Sequence, residues 1–267
     1  MSLFKTLHIF LLAVLLAGCS SPADEEKGAD RLVIYTGITM RHAIQEIASH
    51  FEKMHGCRVS IIQGGSEDLY KSLRLSRRGD LYLPGSPVYR QKYLFEGLFA
   101  DYVYVGDNQA ALIVQKGNPK NISSDIKNLA DQRYTVVIGN PESGSIGLHT
   151  KKILEKAGIY EEVLRNSVAL PAASRNIRRS IVEDGIDLAM NWRATANFKE
   201  NKALMDVLVL PASIAPKKKL LLNLLSFSDN PKLAKEFMLY AVSPSGQEIF
   251  KKYGFLDQVA GQGSLQR

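Results

Sequence analysis

The stretch RLVIYTGITMRHAIQEIASHF, Arg31 to Phe51, changes its hydrophobic period within a few residues, and this constrains the fold most strongly. Leu32, Val33, Ile34 and Tyr35 form a short β-branched and aromatic run, which predicts a buried strand. From Met40 onward, Ala43, Ile44, Ile47, Ala48 and Phe51 recur on one face of an amphipathic helix. Only Thr36, Gly37, Ile38 and Thr39 separate the two, with Thr39 placed to cap the helix. So tight a turn leaves backbone N–H groups unpaired at the positive end of the helix dipole, where anions bind. An ordinary strand–helix turn with a capping Thr39 accounts for the same residues. The stretch therefore points to an α/β fold before it points to a site.

Strand and helix signals alternate along nearly the whole chain. Strands are predicted over residues 58–62, 80–83, 111–115, 135–139, 187–191, 207–210 and 220–225. Ser66 is a plausible helix N-cap with Glu67 and Asp68 behind it, and Ser174 opens another helix. Ser86-Pro87, Asn230-Pro231 and Ser243-Pro244 each pair a capping residue with Pro at the first helical position. This alternation predicts mainly parallel sheets, whose ligands sit beyond the C-terminal strand ends. Polar turns fall there at Thr36 to Thr39, Gly64 to Ser66, Asn140 to Gly147 and Asn191 to Thr195. Four such turns together predict a ligand site.

The chain opens with Lys5 and an apolar run, Ile9 to Ala17, too short for a span of roughly 20 residues and of signal-peptide size. It ends in Leu16-Ala17-Gly18-Cys19, which resembles a bacterial lipobox in which Cys19 is lipidated and becomes the first mature residue. Residues 20–30 are polar and read as a flexible tether. Of 267 residues with formal net charge +7, processing removes 18 and the single cation Lys5. What remains is enough for one large or two ordinary α/β domains. Cys57 is then the one remaining cysteine, so no disulfide is expected. Basic clusters at Arg74 to Arg78, Arg175 to Arg179 and Lys217 to Lys219 suit a small anion or an anionic membrane, or are solvated faces. No zinc-finger or RNA-binding motif is present, and nucleic acid is not expected.

Five segments together resemble a known family, the periplasmic molybdate- and tungstate-binding proteins of ABC importers, within the type II extracellular solute-binding proteins. These are VIYTGITMRHAIQEIASHF from Val33, Gly64-Gly65-Ser66, Gly79-Asp80-Leu81-Tyr82, Val114 to Pro119, and NPKLAKEFMLYAVSPSGQEIFKKYGF from Asn230. The resemblance implies two hinged α/β lobes, residues 31–112 with 216–267 and residues 113–215, joined by crossovers near 111–116 and 212–219. It implies a small oxyanion held by neutral hydroxyl and N–H donors, a monomer, and an ABC permease as partner. Carried over by position, the donors are Thr39, Ser66, and the N–H groups of Ile146 and Ile177. Ser145 and Asn176 lie beside them, and Trp192 stands where a tyrosine is usual. Arg175 and Arg193 flank two of the turns and are candidate anion contacts. These departures leave phosphate, sulfate and organic anions open beside molybdate, and a non-transport sensor lipoprotein shares the fold.

An enzymatic reading rests on Ser124-x-x-Lys127 and Ser228-Asp229-Asn230, which fit short motifs of penicillin-recognising serine enzymes. No Lys-Thr-Gly follows Asn230, and a binding protein without cofactor or catalytic residues is the expectation. Histidines 42, 50, 55 and 149 show no metal-ligand spacing, and His42 and His50 are expected on the polar helix face. The expected product is an exported lipoprotein facing the periplasm or cell exterior. Mass spectrometry of the native N-terminus should find diacylglyceryl on Cys19; a free Cys19, or a start beyond Asp30, contradicts it.

Overall fold

The structure, a computed structural model, describes residues 31–257 and 263–266. The expected signal peptide, tether and lipidated Cys19 lie outside the described residues. Ten strands form two five-stranded sheets. The first takes β1 (Arg31–Gly37), β2 (Arg58–Gly64), β3 (Leu81–Leu83), β4 (Phe99–Asn108) and the last strand, in the order β2-β1-β3-β10-β4. The second takes β5 (Ala110–Gln115), β6 (Val136–Val137), β7 (Ser167–Ala169), β8 (Leu188–Trp192) and β9 (Met205–Leu208), in the order β7-β6-β8-β5-β9. Strand β10 spans Lys218–Leu225.

Helices α1 (Arg41–His55), α2 (Ser66–Ser76) and α3 (Val88–Tyr93) follow β1, β2 and β3. Helices α4 (Ser145–Lys156), α5 (Tyr160–Asn166), α6 (Ser174–Val182) and α7 (Arg193–Ala196) belong to the middle of the chain. Helices α8 (Pro231–Ala241) and α9 (Pro244–Lys252) return to the first sheet, with Pro at the start of each as expected. The apolar face of α1 packs Ile44, Ile47 and Phe51 against Leu32, Ile34, Phe237 and Phe250, all fully buried. A second core joins Leu112, Val136, Ile177, Leu188 and Met190. Among the described residues no helix is long and apolar enough to cross a membrane.

Both sheets are mixed rather than mainly parallel: β2-β1-β3 and β7-β6-β8 run parallel, while β10 and β5 pair antiparallel with both neighbours. The cause is the crossing between sheets. Strands β1, β3 and β8 point their C-terminal ends at the gap between the sheets. A strand arriving from the other sheet enters through that gap and runs the opposite way. Ala110 at the start of β5 thus pairs with Trp192 at the end of β8, and Lys218 with Asn108.

The first crossing lies at Gln109, earlier than the segment 111–116 expected from the sequence; residues 110–112 pair within the second sheet. The Gln109 amide donates to the carbonyls of Leu210 and Ala215 at 3.4 and 3.1 Å, which ties the two crossings together. Strand β4 is not among the strands predicted from sequence. Its Asp101, Asp107 and Gly106 interrupt the apolar pattern, and at Gly106 (φ 152°) a Cβ would sit 2.7 Å from the Phe255 carbonyl.

The end of the first sheet far from the gap is held by Asp80. Its carboxylate accepts from the Val33 N–H at 2.7 Å and the Ser228 hydroxyl at 2.6 Å. Ser228 is therefore engaged in a structural turn, and Ser124 lies in the other half of the molecule before Ile126–Ala130. The two motifs of the enzymatic alternative do not meet.

Candidate functional site

Four chain turns converge on one cavity in the gap between the sheets. They are the 3-10 turn Ile38–Met40 ahead of α1 and the starts of α2, α4 and α6. About 20 Å³ of it is open to the centre of a water-sized sphere. With a margin of about 1.4 Å for that sphere, it seats a body roughly 3 Å in radius. A single tetrahedral oxyanion has that size; an amino acid or sugar does not. Its walls are Gly37, Ile38, Thr39, Met40, Gly64, Gly65, Ser66, Gly85, Gly144, Ser145, Ile146, Ala173, Ser174 and Trp192, with no charged side chain among them.

The hydrogen bonds of these residues decide what the cavity can offer. Thr39 is 4 % exposed, and its hydroxyl enters no hydrogen bond among the described residues. It sits within the 3-10 turn and is not the side-chain cap expected of it. Ser66 is likewise the first residue of α2 rather than its cap, which is Gly65. Its Oγ accepts the Gly85 N–H at 3.0 Å, so its own proton is free to donate inward. Ser145 Oγ accepts the Trp192 indole N–H at 3.3 Å, with the same consequence. In α4 the Leu148 N–H is bonded to the Gly144 carbonyl. The N–H groups of Ser145, Ile146 and Gly147 precede that ladder and have no intrahelical acceptor.

The sequence-predicted residues divide into those the cavity gathers and those it does not. Thr39, Ser66, Ser145, Ile146 and Trp192 line it. Trp192 acts through Ser145, since its N–H is engaged there. The expected Ile177 donor is engaged as well: its N–H and that of Asn176 both bond the Ala173 carbonyl, at 3.2 and 2.9 Å. The Ile177 side chain is buried in the second core, and Asn176 is exposed. The helix begins earlier than the expected donors require, and it is Ser174 that lines the cavity. Its N–H is ahead of the ladder, while its hydroxyl is engaged with Asn191 and Thr195. Arg175 lines a neighbouring pocket and not this cavity. Arg193 lies 3.6 Å from Asp257 in an ion pair and lines neither.

Met40, Gly85, Ala173 and Ser174 are the residues of the cavity that the predicted ligand turns missed. The signal for Gly85 is the Pro84-Gly85-Ser86 turn beyond a buried strand, the same position that marks the other turns.

The two halves are closed on each other around the cavity. The Glu67 N–H donates to the Ser143 carbonyl at 3.3 Å, and His42 meets Glu200 at 2.8 Å. A Cβ on Gly65 would lie 2.5 Å from the Ser143 oxygen, so glycine permits this approach. Behind the cavity, His149 of α4 bonds Ser86 through Nε2 at 2.7 Å and faces the Trp192 ring edge-on at 5.5 Å.

A two-lobed α/β molecule closed over a small cavity lined by no charged side chain has the architecture of a solute-binding protein. The chain belongs to the bacterial extracellular solute-binding protein family, whose sequence profile matches residues 32–256. It is 25% identical over 226 residues to a putative binding protein of Haemophilus influenzae, covering 84% of this chain and 90% of that one. It is 22% identical over 238 residues to the molybdate-binding protein ModA of Mycobacterium tuberculosis, covering 88% of each chain. Its fold matches the periplasmic molybdate-binding protein of Azotobacter vinelandii with TM-score 0.74 at 15% identity, over 85% of this chain and 99% of the other.

His149 makes folding stability depend on pH. Burial first, then repulsion by Lys218 and Lys152, pushes its pKa from 6.5 down to about 3. An unfolded chain takes up this proton below about pH 6.5, whereas the closed fold resists it, so between these values the unfolded state binds more protons. The contribution is complete above about pH 6.5 and is lost on acidification, by at most about 1.4 kcal/mol per pH unit. Urea unfolding compared at about pH 7.5 and about pH 5 should show the loss, of up to about 2 kcal/mol. His149→Gln should flatten it, and an unchanged slope in that variant contradicts the assignment.

Proposed function

We propose that the chain is the extracytoplasmic substrate-binding lipoprotein of an ABC importer, and that it captures a small tetrahedral oxyanion, molybdate or tungstate, between its lobes. Among the described residues one lobe comprises 31–109 with 216–257 and 263–266, and the other 110–215. The protein works as a monomer, is held to the membrane through lipid on Cys19, and delivers its ligand to a permease.

The observation that supports this reading is a cavity with no charged side chain in its lining, bordered by Thr39, Ser66, Ser145, Ile146 and Ser174, whose hydroxyl and N–H groups are the donors it assigns. A dianion stripped of water needs several donors at once, and helix-start N–H groups supply them already oriented, with partial positive charge. The relatives named as molybdate-binding proteins support the same ligand class.

A thermal-shift and calorimetric screen of ligand-free protein against molybdate, tungstate, sulfate and phosphate tests this. At 100 times its dissociation constant, the true ligand adds about 2.7 kcal/mol of stability. Thr39→Val keeps the side-chain shape and removes one charge-assisted hydrogen bond. It should weaken binding by about tenfold to a hundredfold. Stabilisation by none of these anions in folded protein, or an unaltered affinity in Thr39→Val, contradicts the proposal.

A further inference from the structure

Beside the inner cavity lies a second pocket of about 190 Å³, which shares Ile38, Thr39 and Ser174 with it. A single tetrahedral ion fills the inner cavity and leaves this pocket without a role. Its character is different, for it carries Arg41, His42, Arg175, Arg178, Phe198 and Glu200.

Two of these charges are engaged. Arg178 donates through Nε to Asn201 at 2.9 Å and through Nη1 to Glu183 at 3.2 Å. Glu200 is held by His42, whose Nε2 lies 2.8 Å from its Oε1. Arg41 contacts the same nitrogen through Nη2 at 3.2 Å and its charge also acts on Glu200, while its Nε and Nη1 donors have no partner among the described residues. Arg175 is exposed and has no side-chain hydrogen bond or ion pair among the described residues. The Arg175 guanidinium and the remaining Arg41 donors, on one pocket, match the planar, bidentate geometry of a carboxylate or phosphate.

We propose that this pocket is a second anion subsite, so that the chain also takes tetrahedral oxyanion esters bearing a second anionic group. The inference rests on the oxyanion reading of the inner cavity. The head group occupies that cavity, and the substituent passes between Thr39 and Ser174. Its carbon linker lies along Phe198, and its terminal carboxylate or phosphate meets Arg41 and Arg175. The inner cavity discriminates by size and hydrogen bonding, and the outer pocket discriminates by charge.

Calorimetry of the purified mature protein with molybdate, inorganic phosphate, methyl phosphate and 2-phosphoglycolate separates the two sites. Methyl phosphate probes whether an ester passes the neck, and 2-phosphoglycolate adds the carboxylate. The subsite predicts that 2-phosphoglycolate binds about tenfold or more tighter than methyl phosphate. Arg175→Gln and Arg41→Gln should each remove most of that gain and leave molybdate and inorganic phosphate within about twofold. Equal affinities for the two esters overturn the subsite, as does an equal loss for every anion in both variants. A bare oxyanion bound while both esters are refused overturns the subsite alone and leaves the inner cavity's reading standing. Binding of no anion overturns both.

Discussion

Everything in the proposed site depends on backbone N–H groups that a helix cannot satisfy by itself. Buried donors of this kind cost free energy unless something accepts from them. In this chain several helices start at the same gap, because strands of both sheets end there. The parallel strand–turn–helix units make the unpaired donors, and the meeting of two sheets encloses them. Ser66 and Ser145 add hydroxyl protons whose direction is set by a third group, the Gly85 N–H in one case and the Trp192 indole in the other. Polarity without net charge results from this arrangement.

Closure is the second requirement, and it is built from contacts between the halves. Glu67 N–H to Ser143, His149 to Ser86, and His42 to Glu200 all cross the gap. Such contacts form on hinge closure and are lost on opening. These three are polar, and most of the apolar burial lies within each lobe, with Ala194 packed in the first core and Phe198 edge-on to His42 at 4.7 Å. Gln109 sits at the first crossing with its amide on the second, so both crossings are held together where a hinge must bend.

Much of this was legible in the amino-acid sequence, and the limits have physical causes. The change of period between Tyr35 and Met40, and the Gly-Gly-Ser turn before Leu69, place Thr39 and Ser66 at helix starts correctly. Their exact roles were not legible, because whether a hydroxyl caps its own helix or points into a cavity depends on the far side of the gap. Ile177 was expected as a donor, but its N–H is bonded to the Ala173 carbonyl and Ser174 lines the cavity instead, since that first closed hydrogen bond fixes which N–H groups remain. Strand β4 and the antiparallel pairing of β5 and β10 depend on long-range crossing of the chain, which local periodicity does not encode. The charges of Arg175 and Arg193 were visible, but their separation into an outer pocket and an ion pair was not.

The central claim is that the lobes close around an anion and open without it. Small-angle scattering of the ligand-free protein, repeated after saturation with the anion that binds most tightly, tests it most directly. The account predicts a smaller radius of gyration and a shorter maximum dimension on saturation, with the bound profile matching the closed structure. Tight binding with superimposable profiles, in protein shown to be free of ligand beforehand, would contradict it.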